Sequence, residues 1–178
     1  TEELDVLAEG TMAKLAAAVK EQPKMEEMTY DIEKVVAISP VLRALYGETQ
    51  PATVKFTVNQ EILDYDPTTK SLSPDHIVYA KAKQLCLEEG ADVKAAFAAF
   101  EAENGYKPKI VFVKGLGMFA CGNSENEAAT ALSVMMDAIT VVAYTKSFGG
   151  VSAMPDFLID FIVNWEVESY RSKVSLGK

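Results

Sequence analysis

Few side chains in this sequence have both the type and the setting for chemistry. The one histidine, His76, stands in SLSPDHIVYAK, beside Asp75 and five positions before Lys81. An imidazole titrates near neutrality and can act as a single acid or base, and Lys81 or Lys114 could hold an anionic substrate beside it. Residues 76–80 read as a strand, in which Asp75 and His76 point to opposite faces and form no ready dyad. The second candidate is the glycine turn in KIVFVKGLGMFACGNSENEAATA, with Gly115, Gly117 and Gly122 between an apolar strand and a helix start. GLGMFACG fits neither the dinucleotide-binding G-x-G-x-x-G nor a P-loop ending in Gly-Lys-Ser/Thr. Gly115 and Gly117 read instead as a tight turn, with positive φ at one of them. Glu26-Glu27 and Glu88-Glu89 flank loops and read as solvated charge, and Ser124 lacks nucleophile-elbow spacing. A lone histidine is more often a surface or satisfied structural residue than a catalyst. From the residues alone, no active site emerges.

The elements that must position these residues follow from periodicity. Leu4, Leu7, Met12, Leu15 and Val19 predict an amphipathic helix over residues 2–20, and residues 21–30 a loop. Asp31 caps a second helix carrying Ile32, Val35 and Val36. Ser39-Pro40 reads as a new cap and first helical position, restarting a short helix that stops near Gly47. From Ala52 the period becomes two: Val54, Phe56 and Val58 alternate with Thr53, Lys55 and Thr57 in a half-buried strand. Asp66-Pro67 marks a turn. Val93, Phe97 and Phe100 define a helix ending near Gly105, and residues 110–113, apolar throughout, a strand covered on both faces. Ser124 and Glu127 have capping-box spacing for a helix over 124–146 that only Ser133, Asp137 and Thr140 interrupt. A last helix starts near Pro155 with Leu158, Phe161, Ile162 and Trp165 inward, Asp156 and Asp160 early and Arg171 and Lys173 late, in the order the helix dipole favours. The sum is an α/β domain, a layered sheet with helices on both faces.

Composition bounds the function classes. The chain has 178 residues, is 49% apolar and carries a net charge of −9, which fits one domain with a full-sized core and disfavours nucleic acid and anionic membrane surfaces. The longest apolar run, over 131–144, is broken by Asp137 and too short to span a bilayer. No signal peptide is read at the acidic start. Cys86 and Cys121 are isolated, which suits a reducing cytoplasm and argues against a disulfide framework. One histidine and two separated cysteines make no closed zinc site.

IVFVKGLGMFACGNSENEA resembles the class II aldolase/adducin family, in which a buried strand leads to an Asn-His-Gly turn, a short aromatic strand and a capped acidic helix start. Gly115-Leu116-Gly117 stands where that family has Asn-His-Gly, so Leu116 occupies the place of a metal-binding histidine. The family's His-x-His pair has no counterpart here. SPDHIVYAK, YKPKIVFVKGLGMFACG and the SFGG and FLIDFIVNWEVESYRSKVS segments are similar, in order, to the degenerate second half of larger members of the family. They are similar also to proteins named as rhamnulose-phosphate aldolase/short-chain dehydrogenases. The resemblance is strongest from Ser71 onward and weak before Ala52.

That resemblance implies a class II aldolase-like fold over 1–178, forming the C-terminal part of a longer chain. It implies a non-catalytic structural or regulatory domain without a cofactor of its own. A divalent metal, zinc, would sit in the preceding aldolase-like module of the same chain, which would act on a small sugar phosphate or hydroxy-carbonyl compound. The expected partners are that module and further copies of the chain, through an apolar flank of the helix over 124–146. The alternative is a metal-free small-molecule-binding domain or lyase using His76 with Lys81 or Lys114, with Gly115 and Gly117 at the ligand.

Overall fold

The computed structural model describes residues 2–47 and 49–165. The centre is a four-stranded sheet in the order β1-β4-β3-β2, with β1 at Thr53–Thr57, β2 at Leu85–Leu87, β3 at Ile110–Val113 and β4 at Gly117–Gly122. β4 runs antiparallel to both β1 and β3, while β2 and β3 are parallel. Because successive side chains alternate across a strand, the apolar run of β3 serves two cores. Val111 and Val113, with Phe119 and Cys121 of β4, face α2 (Ile32–Tyr46) and α4 (Val93–Asn104). Ile110 and Phe112, with Met118 and Ala120, face α3 (Gln60–Asp64) and α5 (Glu125–Thr145). The α/β fold with helices on both faces is the one the sequence predicts, and β3 is covered as its composition requires.

Several local details differ from expectation. α2 does not restart at Pro40 but runs through it. Proline removes one helical N–H bond, yet Val35, Leu42 and Tyr46 lie on one buried face, and packing of that face outweighs the missing bond. Ser39, expected to cap, donates its hydroxyl to Val35 O at 2.8 Å. The predicted strand at 76–80 is a π-helical turn, His76–Ala80. Ile77 and Val78 are adjacent in sequence and both buried, which a strand, with its alternating faces, would not allow at one surface. α6 (Asp156–Val163) buries only Ile162 on this turn; Leu158, Phe161 and Trp165, expected inward, are exposed. Eight residues give little more than two turns, enough for a single contact row. Arg171 and Lys173 lie outside the described residues.

α5 starts as its capping box predicts. Ser124 Oγ accepts from Glu127 N–H at 3.1 Å, and Glu127 Oε2 accepts from the N–H of Asn123 at 2.8 Å. Ser133 and Asp137 are exposed, but Thr140 is half-buried and donates its hydroxyl to Met136 O. The helical segment Glu125–Phe148 exceeds the apolar run read from sequence and is, by length and composition alone, long and apolar enough to cross a membrane. Here its buried side lies on β4, β1 and the π-helical turn. α1 (Glu2–Ala18) is helical as predicted, but its side chains over 3–18 are all exposed.

Candidate functional site

The glycine turn joins β3 to β4. Leu116 N–H donates to Val113 O at 3.0 Å, so Lys114 and Gly115 are the central residues of a tight turn. Gly115 has φ 71° and Gly117 φ 145°, both positive where the sequence required only one. The two glycines serve different ends. A Cβ on Gly115 meets nothing, so only its backbone conformation demands glycine; one on Gly117 would come within 2.8 Å of the Phe56 ring and of Thr57 O. Between them, Leu116 turns inward and is 5% exposed, in the core shared by Phe119, Leu87 and Phe97.

Three clefts open around this turn. One of about 340 Å³ is lined by Tyr65, Cys86, Glu88, Phe112, Lys114 and Gly117, and one of about 320 Å³ by Lys34, Ile38, Glu88, Lys114 and Leu116. A third, of about 240 Å³, runs from Tyr30 to Leu116. Gly115 borders all three. They lie beyond the carboxyl ends of the parallel pair β2 and β3, where open α/β sheets place ligands. Lys114 and Lys34 are the cations there; Lys114 Nζ stands 3.0 Å from Glu88 Oε2, both side chains exposed. Glu88 and Glu89, read as solvated charge, are exposed and paired with Lys114 and Lys34.

His76 and Lys81 belong to another region and line none of these three clefts. His76 is buried at 7% exposure, with Nε2 3.4 Å from Asp137 Oδ2 on α5 and Nδ1 buried without a hydrogen-bond partner. Its partner is thus the aspartate sixty-one positions away rather than Asp75, a pairing invisible while 76–80 reads as strand. Lys81, the residue after the π-helical turn, borders a separate cleft of about 80 Å³ with Tyr106 and Ile162. Burial, and then the charge of Lys109, push its pKa down, opposed by Glu127. The structure therefore keeps the pairing of His76 with Lys114 apart, and it unites Gly115, Gly117 and Lys114.

Two buried charge clusters were missed. Lys109 Nζ pairs with Glu127 Oε1 at 2.9 Å, the side chains 7% and 10% exposed, and Tyr46 Oη lies 3.4 Å from the same carboxylate oxygen. The available signal was a lysine opening a strand that is otherwise wholly buried. Glu61 accepts from Lys24 N–H and Lys146 Nζ, each at 3.0 Å. Burial pushes its pKa up, but the hydrogen bonds from Lys24 and Lys146 outweigh this and the net shift is downward. Nothing in the local pattern around Glu61 marks it as buried, because its partners are distant in sequence.

Zinc does not fit the turn. Its usual ligands are imidazole, thiolate and carboxylate, whereas the side chain between the two glycines is the buried Leu116. Among the described residues no three His, Cys, Asp or Glu side chains converge on one point.

No family model and no curated protein matches the sequence. Among solved structures the chain is similar to an aldolase II superfamily protein from Pseudomonas syringae, at 14% identity and a TM-score of 0.45, over 69% of this chain and 53% of that one. The chain thus spans about half the length of that structure.

Proposed function

We propose that this chain is a non-catalytic, class II aldolase-like domain with a structural or regulatory role beside a catalytic, zinc-dependent module of the same parent chain. The parent, a member of the class II aldolase/adducin family, would act on a small sugar phosphate or hydroxy-carbonyl compound in the cytoplasm. The observation that carries this reading is Leu116: the turn has the family's layout, and the side chain at the ligand position is part of the core. Leu116 borders two of the clefts only as an apolar wall, and its side chain has no donor atom for a metal. The exposed apolar side chains of α1 (Leu4, Leu7, Leu15) and of α6 (Phe157, Phe161) support association with the preceding module or with further copies of the chain.

The test is Leu116→His. It restores one imidazole of three and buries a polar ring, so the variant is expected to lose ~1–3 kcal/mol of stability and to gain no cleavage of sugar phosphates with zinc present. Metal-dependent retro-aldol turnover, in this variant or in the natural sequence, overturns the reading.

A second reading is favoured by the clefts at Gly115: a small-molecule-binding domain in which Lys114 holds an anionic ligand. A sugar phosphate at one hundred times its dissociation constant would stabilise the fold by ~2.7 kcal/mol. Thermal shifts in the natural chain that vanish in Lys114→Ala would establish it, and no shift with any phosphate tested would remove it.

A further inference from the structure

Lys81 combines three features: a backbone conformation and a ring contact found at no other lysine of the described residues, and a side chain without an ion-pair partner. Its backbone has φ 72° and ψ 155°, and it is the one residue other than glycine with positive φ among them. That region is otherwise almost confined to glycine and persists where the surroundings over-determine it, often at functional positions. Here Lys81 N–H donates to Ile77 O at 3.1 Å, and Gln84 Nε2 donates to Lys81 O at 3.1 Å, so the backbone is held on both sides. The side chain is half-buried, with Nζ 5.3 Å from the centre of the Tyr106 ring. Among the described residues no carboxylate lies within ion-pair distance of it, whereas Lys109 and Lys114 each have one. The cleft it borders, about 80 Å³, is otherwise lined by Ile77, Val78, Ala82, Ile162, Val163 and the Tyr106 ring.

A lysine amine becomes a nucleophile at neutral pH when it is desolvated in an apolar pocket or placed near a second cation. The half-buried side chain of Lys81 lies against an apolar wall, and burial, then the charge of Lys109, lower its pKa, opposed by Glu127, the ion-pair partner of Lys109. A carboxylate ligand would find one uncompensated cation in an apolar wall, but a neutral carbonyl compound matches both the wall and the amine. We propose that Lys81 is a carbonyl-capturing lysine that binds a small, uncharged aldehyde or ketone as a reversible imine. The neutral Nζ adds to the carbonyl carbon, and the carbon–oxygen π pair moves to oxygen, which takes up the proton lost from nitrogen. The resulting carbinolamine loses its hydroxyl together with the remaining N–H proton as water, the nitrogen lone pair forming the C=N bond, and no oxidant or reductant is needed. A cleft of about 80 Å³ suits a small ligand. The proposal does not rest on the non-catalytic reading, since capture requires no turnover and involves none of the residues of the glycine turn.

The experiment is reductive trapping. The whole chain is incubated at pH 7 with propionaldehyde and cyanoborohydride, which converts an imine to a stable secondary amine, and the labelled lysine is located by peptide mass mapping. Lys81 is expected to be labelled at least tenfold faster than the exposed Lys70 and Lys83. Lys81→Arg keeps the cation over Tyr106 and should abolish this fast phase. Lys81→Gly accepts the backbone conformation without strain and should do the same in a fold at least as stable, so loss of labelling in it cannot be ascribed to unfolding. Equal labelling rates across the lysines, or a fast phase that survives in either variant, would overturn the proposal. Neither result touches the assays of Leu116→His.

Discussion

α1 and α5 are the two longest helices among the described residues, at 17 and 21 residues, and both are rich in alanine and large aliphatic side chains. One is built into the molecule and the other stands off it. On α5 the buried positions Ala128, Ala131, Ala138 and Ala143 are small and let the helix approach the sheet, while Met135 and Ile139 fill the space between. Its first turn is fixed by Ser124 and by the buried Lys109–Glu127 pair. On α1, Leu4, Leu7, Thr11, Leu15 and Ala18 share one face, but Val6 and Met12 lie off it, and Gly10 interrupts the middle. Leu4, Val6, Leu7 and Met12 are 65–70% exposed. The difference teaches that a helical period specifies a helix and not its neighbour. α5 has a sheet within its own chain to bury against, whereas helices of α1's length are marginal in water unless something covers them.

The largest expected effect is at the foot of α5. Lys109→Met leaves the Glu127 carboxylate buried without its cation and is expected to cost ~3–5 kcal/mol in denaturant unfolding. The double variant Lys109→Met, Glu127→Leu should recover only part of that loss, because an apolar pair avoids the desolvation penalty but removes the acceptor of the Asn123 N–H. A single variant as stable as the natural chain would show that α5 is not anchored there. Next in size, Ile139→Ala on α5 should cost ~2–5 kcal/mol, and Leu15→Ala on α1 no more than ~0.5 kcal/mol. Similar losses at both positions would mean that α1 packs on the domain in solution and would dissolve the contrast.

A smaller effect is expected where the loop after α1 meets the end of α5. Glu61 receives Lys24 N–H and Lys146 there, and its pKa is lowered in the folded state. A lowered carboxylate pKa gives stability that is complete above the unfolded value, here near 4.5, and is lost as pH falls through the folded value. Glu61→Gln should therefore flatten the fall in stability with acidification below that point. An unchanged acid profile would show that this contact does not couple the loop to α5.

How much of this was legible varies with the range of the interaction. The capping box of α5, the two-sided burial of β3 and the stop of α4 at Gly105 all depend on residues within a few positions, and they appear where the pattern puts them. The turn 76–80 was misread because Ile77 and Val78 point inward together, against the Ile162 row some eighty-five positions away. Pro40 misled for the same reason, since its local signal says stop while the face of Val35, Leu42 and Tyr46 says continue. At the candidate site, the glycines and Lys114 were readable as a unit because they adjoin in sequence. The Asp137 partner of His76 and the strained backbone at Lys81 were not, because tertiary packing alone creates them.

The smallest effect discriminates most finely between the two helices. Gly10 lies in the interior of α1, and a Cβ there would meet no other atom within 4 Å. Replacing a mid-helix glycine by alanine in such a place stabilises the helix by ~0.5–1 kcal/mol through lost backbone freedom in the unfolded chain. If α1 is energetically separate from the sheet, Gly10→Ala strengthens α1 and leaves the global unfolding midpoint where it was. Amide exchange in residues 2–18 should slow by ~2–5-fold, the rate equivalent of that free energy at 25 °C, while exchange in α5 and β3 stays unchanged. Any rise in α5 protection in parallel with α1 would show that the two helices share one cooperative unit. If the chain self-associates through α1, the same substitution should also tighten that association, because a preformed helix gives up less freedom on binding. Sedimentation at several concentrations separates the cases: a tighter oligomer with an unchanged monomer midpoint places the missing neighbour of α1 in another copy, and an unchanged monomer leaves that face for a different chain.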